Sequence, residues 1–178
     1  MSRAYTVTNV MKKRFTMLPF FGHFLNSLGE PAKEFSALIW GNSGHGKTDF
    51  AIQLARHLCN FGHVAYNSME EGLSHTYQSS LSRHQSEAMN YKFKLLDREP
   101  WPDMHERMTK HKAPDFLIID SIQYAGIDRR AYKALKELCK QRSRGLIMLS
   151  HANGNQPKGA LADFIRYDVD IKIWVEGF

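Results

Sequence analysis

Apolar residues gather into five short runs along this chain, at positions 35–40, 63–68, 91–96, 116–120 and 145–150. Several are almost continuously apolar, the pattern of strands buried on both faces of a parallel sheet. Helical spacing fills the gaps. Behind Lys47, the residues Phe50, Ala51, Leu54, Ala55 and Leu58 share one face, and residues 60–62 supply a stop. Ala131, Leu135 and Leu138 mark a second helix, and less regular helical patterns cover 70–89 and 101–110. Residues 151–159, rich in Asn, Gly, Pro and Gln, read as a loop, followed by a short helix at 160–167 and an alternating strand at 168–175. Strands alternating with helices predict an α/β fold of three layers, a mainly parallel twisted sheet with helices on both faces. Right-handed crossovers are expected throughout. The division predicted is a lead-in over 1–34 and one core domain over 35–178. The apolar stretch 15–28 of the lead-in would pack on the sheet or dock on a neighbouring subunit.

Composition narrows the class without changing this picture. With 43% hydrophobic and 24% charged residues in 178, the chain is an ordinary globular protein, neither disordered nor fibrous. Two cysteines, Cys59 and Cys139, fit a reduced compartment and not a disulfide framework. None of the nine histidines stands in a zinc-ligand spacing. The basic cluster Lys12-Lys13-Arg14 precedes an apolar run, but Pro19, Gly22 and His23 break that run, so a signal peptide is not expected. No stretch reaches the roughly 20 apolar residues of a membrane helix, and a cytoplasmic protein with no membrane partner is expected. The formal charge of +6 is compatible with a polyanionic partner and equally with none.

The chemistry is carried by Gly41-Asn42-Ser43-Gly44-His45-Gly46-Lys47-Thr48, a complete G-x-x-x-x-G-K-[ST] phosphate loop. Glycines let the backbone wrap a phosphate, including at positive φ. The loop amides and the N-terminus of the following helix form an anion site. Lys47 is placed to reach the β- and γ-phosphates of ATP, and the Thr48 hydroxyl to ligate Mg²⁺. A strand enters this loop and an amphipathic helix leaves it, the context that the motif needs. Asp120 ends the apolar run 116–120 and supplies a second Mg²⁺ ligand, since a carboxylate there is costly without a cationic or hydrogen-bonding partner. Its other reading is a cap for the following turn. Ser121, not glutamate, follows it. The carboxylate that prepares water is expected instead at Glu70, behind the second strand and on the same sheet edge. Glu71 suits the opening turn of the next helix.

These segments resemble the RecA superfamily of P-loop ATPases, in particular RadA-like, KaiC-like and replicative-helicase cores. The residues that carry the resemblance are the loop 41–48, the ending Tyr66-Asn67-Ser68-Met69-Glu70-Glu71, the run 116–120 with Ser121-Ile122-Gln123, and Leu149-Ser150-His151. In size and layout the chain also resembles the minimal recombination and annealing ATPases of phages and mobile elements. The resemblance implies catalytic roles for Lys47, Glu70 and His151, the last as a γ-phosphate sensor. It implies nucleotide contacts from residues 41–48, Asp49 and Arg83, and Mg²⁺ at Thr48 and Asp120. Behind His151 it implies a DNA-binding loop carrying Asn153, Asn155, Gln156 and Lys158, with single-stranded DNA as partner in recombination, repair or replication. A homo-oligomeric ring or filament is a further implication. The basic residues that relatives direct at a neighbour's ATP, beyond residues 175–178, have no match here, so slow unassisted hydrolysis is expected. Two other classes stay open at this point, a nucleotide-dependent assembly module and a small-molecule kinase. Arg129-Arg130 and Lys12-Lys13-Arg14 read as solvated surface or as backbone-phosphate contacts.

Overall fold

The structure, a computed structural model, describes residues 4–85 and 87–177. By contact density the chain divides into two compact units, residues 1–33 and 34–178. Within the first, helix α1 (Val7–Met11) is capped reciprocally: the Thr6 hydroxyl accepts from the Asn9 amide, and the Asn9 side chain accepts from the Thr6 amide. Helix α2 (Gly22–Leu28) ends at Gly29, whose φ of 68° only glycine adopts readily. A single antiparallel bridge, Met17 with Ala32, closes this unit.

The second unit is built on seven strands: β1 (Ser36–Gly41), β2 (Val64–Ser68), β3 (Phe93–Asp97), β4 (Phe116–Asp120), β5 (Gly145–Asn153), β6 (Gln156–Pro157) and β7 (Ile171–Trp174). The spatial order is β3-β2-β4-β5-β1-β7, every neighbouring pair parallel, with β6 antiparallel to β5. β1, β2 and β4 are buried along their whole length, as their unbroken apolar runs predict. β3, an edge strand, is only half-buried.

Alternate residues of each strand face opposite layers. Leu38, Ala65, Leu117, Ile119, Leu146 and Met148 join one core cluster with helices α6 (Trp101–Thr109), α7 (Arg129–Gln141) and α8 (Ala160–Asp168). Helix α3 (Lys47–Leu58) lies against β1, β2 and β4 and packs on α4 (His75–His84); α5 (Glu87–Lys92) leads into β3. No described helix is long and apolar enough to cross a membrane.

Two expectations are corrected. The pattern read as one helix over 70–89 is a turn followed by two helices. Gly72, at φ 61°, breaks the chain, and the Ser74 hydroxyl caps α4 by accepting from the Tyr77 amide at 3.1 Å. α5 then runs to Lys92 and takes Tyr91 out of the strand; Tyr91 is 84% exposed, and pairing with β2 starts only at Phe93. The segment 151–159, expected as a loop, is a β-hairpin. β5 continues to Asn153, Ala152 pairs with Pro157 and Asn153 with Gln156, and Gly154 takes the positive φ (61°) that a two-residue turn requires. Pro157 is tolerated because β6 lies off the main path of the sheet.

The core interdigitates around β4, so truncation there leaves a void. Leu117→Ala, at a fully buried position, is expected to destabilise by about 2–5 kcal/mol. Urea unfolding should show a lowered midpoint at unchanged slope.

Candidate nucleotide-binding site

Because the main strands are parallel, their carboxyl ends share one rim, where ligands bind in open α/β sheets. The phosphate loop turns there from β1 into α3. A Cβ on Gly41 would lie 2.3 Å from the Val175 carbonyl oxygen, so close approach requires glycine at that position. Gly44 and Gly46 require it for another reason: φ is 78° and 81°, with open space on the side of a Cβ. Gly46 caps α3 without any side-chain bond, which leaves the first-turn amides for an anion. The Lys47 ammonium donates to the Asn42 carbonyl at 2.9 Å, inside its own loop. Burial lowers its pKa, against the opposing charges of Asp120 and Glu70. Asn42 is half-buried, Ser43 lies open to solvent, and His45 packs against the backbone of Gly177.

Asp120, 7% exposed at the end of β4, accepts on one carboxylate oxygen from Thr48 at 3.1 Å and from Tyr66 at 2.5 Å. Burial pushes its carboxyl above the ordinary range; the Tyr66 and Thr48 hydrogen bonds pull it back, and Glu70 and Glu71 push it up further. One hydroxyl and one carboxylate are hard oxygen donors, the set that suits Mg²⁺. Among the described residues no three His, Cys, Asp or Glu side chains converge on a metal-sized space. An ion here must therefore complete its shell with water and phosphate oxygens, which is how Mg²⁺ binds in nucleotide sites.

Glu70 stands beside this pair. Its amide and that of Met69 donate to the Asp120 carbonyl at 3.2 and 2.6 Å, tying the end of β2 to the end of β4. The Glu70 carboxylate meets His151 Nε2 at 3.0 Å, and Arg98 donates to the Glu70 carbonyl at 3.2 Å. Glu71 instead accepts from Ser74 at the start of α4. His151 is tied into a polar relay. Gln123 Oε1 accepts from the His151 amide at 3.3 Å, while Gln123 Nε2 donates to Ser150 Oγ at 2.7 Å and to the Lys158 carbonyl at 2.9 Å. The Lys158 amide donates to the His151 carbonyl at 2.8 Å, and the Tyr124 ring meets the imidazole edge-on at 6.0 Å.

Asn153, Asn155, Gln156 and Lys158 are all exposed on the hairpin. The Asn155 carbonyl accepts from Trp40 Nε1 at 3.0 Å, and Trp40 itself is buried beside Trp174. Asp49 and Arg83 pair with each other at 2.8 Å, with His84 on the same carboxylate oxygen at 3.1 Å. That cluster joins α3 to α4 and leaves Arg83 committed to Asp49. Sequence reasoning missed Tyr66 and Arg98, and saw Gln123 only as part of a motif. A phenol inside a buried run was the available signal for Tyr66; Arg98, at φ 50° on the end of β3, left none.

The solved structures decide the fold. The ATPase domain of a replicative helicase matches with a TM-score of 0.57 at 19% identity, over 80% of this chain and 69% of that one. The flagellar accessory protein FlaH from Methanocaldococcus jannaschii matches with a TM-score of 0.66 at 13% identity, over 90% and 80%. This chain has the RecA-like P-loop ATPase fold. No family model and no curated protein matches the sequence. At these identities the likeness is one of fold, so the RecA-like core says where a nucleotide belongs and leaves the reaction to the side chains.

The Asp49 cluster gives a pH-dependent prediction. Burial works to raise the Asp49 carboxyl, but the hydrogen bonds and charges of Arg83 and His84 outweigh it and hold it below the ordinary range. A depressed carboxylate stabilises the fold above its unfolded pKa, and that contribution is lost as pH falls through the folded value. Asp49 and Arg83 are more than one-third exposed, so solvent screening limits the effect. Asp49→Asn should cost at most about 1 kcal/mol at neutral pH, with the gap to wild type closing below about pH 4 in paired denaturation curves.

Proposed function

We propose that this protein is a Mg²⁺-dependent ATPase whose nucleotide state controls its hold on single-stranded DNA. One observation carries the reading: Lys47, the Thr48–Asp120 pair and the Glu70–His151 pair meet on one rim of a RecA-like sheet.

Each residue then has a task. The loop amides and Lys47 hold the β- and γ-phosphates and stabilise charge on the transferring phosphoryl group. Thr48 and Asp120 would hold Mg²⁺, which supplies neutralisation of the terminal phosphate charge. Tyr66 keeps the Asp120 carboxylate aimed by donating to it. Glu70 orients a water in line with the γ-phosphorus and takes its proton as the new P–O bond forms and the bond to the ADP oxygen breaks. His151, which contacts Glu70 through Nε2, has that same nitrogen to offer a γ-phosphate oxygen. Its backbone is bonded to Gln123 and Lys158, so an imidazole shift at the rim bears directly on the hairpin. The exposed amides of Asn153, Asn155 and Gln156 and the Lys158 ammonium supply donors for a strand's phosphates and base edges.

Hydrolysis without DNA is expected to be slow and to rise when single-stranded DNA is added, measured against duplex DNA and RNA. Lys47→Ala should lose Mg-ATP binding. Glu70→Gln should retain binding and lose turnover by about a hundredfold or more. Wild-type turnover in Glu70→Gln would reject Glu70 as the base, and turnover indifferent to every nucleic acid would reject the coupling.

A further inference from the structure

The protein's charge is not spread evenly. Residues 129–168, covering α7, β5, the hairpin and α8, carry nine lysines and arginines against three carboxylates, which is the whole formal charge of +6. The remainder of the chain is neutral in balance.

Three of the nine cations are committed inside the fold. Arg144 is buried and donates to the carbonyls of Met108 and Lys110, Lys136 pairs with Asp168, and Arg166 pairs with Asp163. The other six, Arg129, Arg130, Lys133, Lys140, Arg142 and Lys158, are exposed and have no carboxylate partner among the described residues. Two of them are held in place without being neutralised. The Arg129 guanidinium lies 4.3 Å from the centre of the half-buried Phe164 ring, and the Lys133 ammonium 5.3 Å from it. The Phe164 ring therefore fixes two positive charges about one helical turn apart.

Chain connectivity links this patch to the hairpin: Lys158 is followed by Gly159, the N-cap of α8, and α8 carries Phe164. α7 is 13 residues long, about 20 Å, with unneutralised cations near both ends.

We infer that the outer face of α7, with Phe164 of α8, is a second nucleic-acid contact surface that tracks the phosphate backbone of a strand leaving the hairpin. This rests on the proposal that the protein engages DNA, and it adds where most of the electrostatic affinity comes from. Fixed cations at turn spacing beside a ring favour a repeating phosphate chain, with little base readout.

The test is anisotropy of a dye-labelled oligothymidylate titrated with the full chain over a range of salt concentrations. Two double variants are compared, Arg129→Glu/Lys133→Glu and the milder Arg129→Gln/Lys133→Gln. Both should keep Mg-ATP binding and unstimulated turnover. Charge reversal should weaken DNA binding by about tenfold or more and flatten the salt slope by about one to two, with the glutamine pair intermediate. Wild-type affinity and slope in both folded variants would overturn the inference. If a hairpin variant, Asn153→Ala/Lys158→Ala, loses DNA stimulation while the α7 variants keep it, the DNA reading stands and this surface falls. No binding of oligothymidylate by wild type would remove both. Wild-type binding of polyglutamate in preference to oligothymidylate would assign the surface to an acidic protein instead.

Discussion

A buried carboxylate organises this molecule. Asp120 ends a strand with no exposed residue, and a charge there is tolerated only because neighbouring groups are aimed at it. Tyr66 comes from the adjacent strand β2 and Thr48 from the first turn of α3, so one acid fixes the relative position of a central strand and the phosphate loop. Its carbonyl also receives the amides of Met69 and Glu70. The same residue thus places the hydroxyl, the carboxylate and the water-preparing glutamate around one point. Its raised pKa is the energetic trace of that arrangement, a charge that burial opposes and that a magnesium ion would favour.

A second layer connects this point to the surface. Gln123 lies three residues beyond Asp120 and uses both ends of its amide, one on the His151 amide and one on Ser150 and Lys158. The hairpin is consequently held by the residues that flank the site and does not hang from the sheet as a free loop. Trp40, the residue before the phosphate loop, donates to the Asn155 carbonyl and adds a second tie from the nucleotide side. A few short hydrogen bonds join the rim to residues 153–158, which is the physical basis for coupling a nucleotide to a strand.

Much of this was legible in the sequence where local pattern and chemistry agree. Buried parallel strands write their own signature, and the run 116–120 gives both β4 and the acid at its end. The glycines of the phosphate loop declare themselves because two need positive φ and one needs to be bare. The hairpin was hidden by its own turn chemistry, since Asn, Gly and Pro read as loop while the backbone pairs for only two residues on each side. Tyr91 counted as strand because it is aromatic, yet the helix preceding β3 holds it in solvent. Tyr66 and Arg98 act through contacts between strands distant in sequence, and no local spacing records such contacts.

The account stands on Asp120 and Thr48 forming one half of a magnesium site that a nucleotide completes. Calorimetric titration of ATP into the folded protein, with and without magnesium, tests this most directly, alongside Asp120→Asn. The account predicts binding that strengthens with magnesium in wild type and loses that dependence in the variant. Equal affinity with and without magnesium, or no uptake of nucleotide at all, would contradict it.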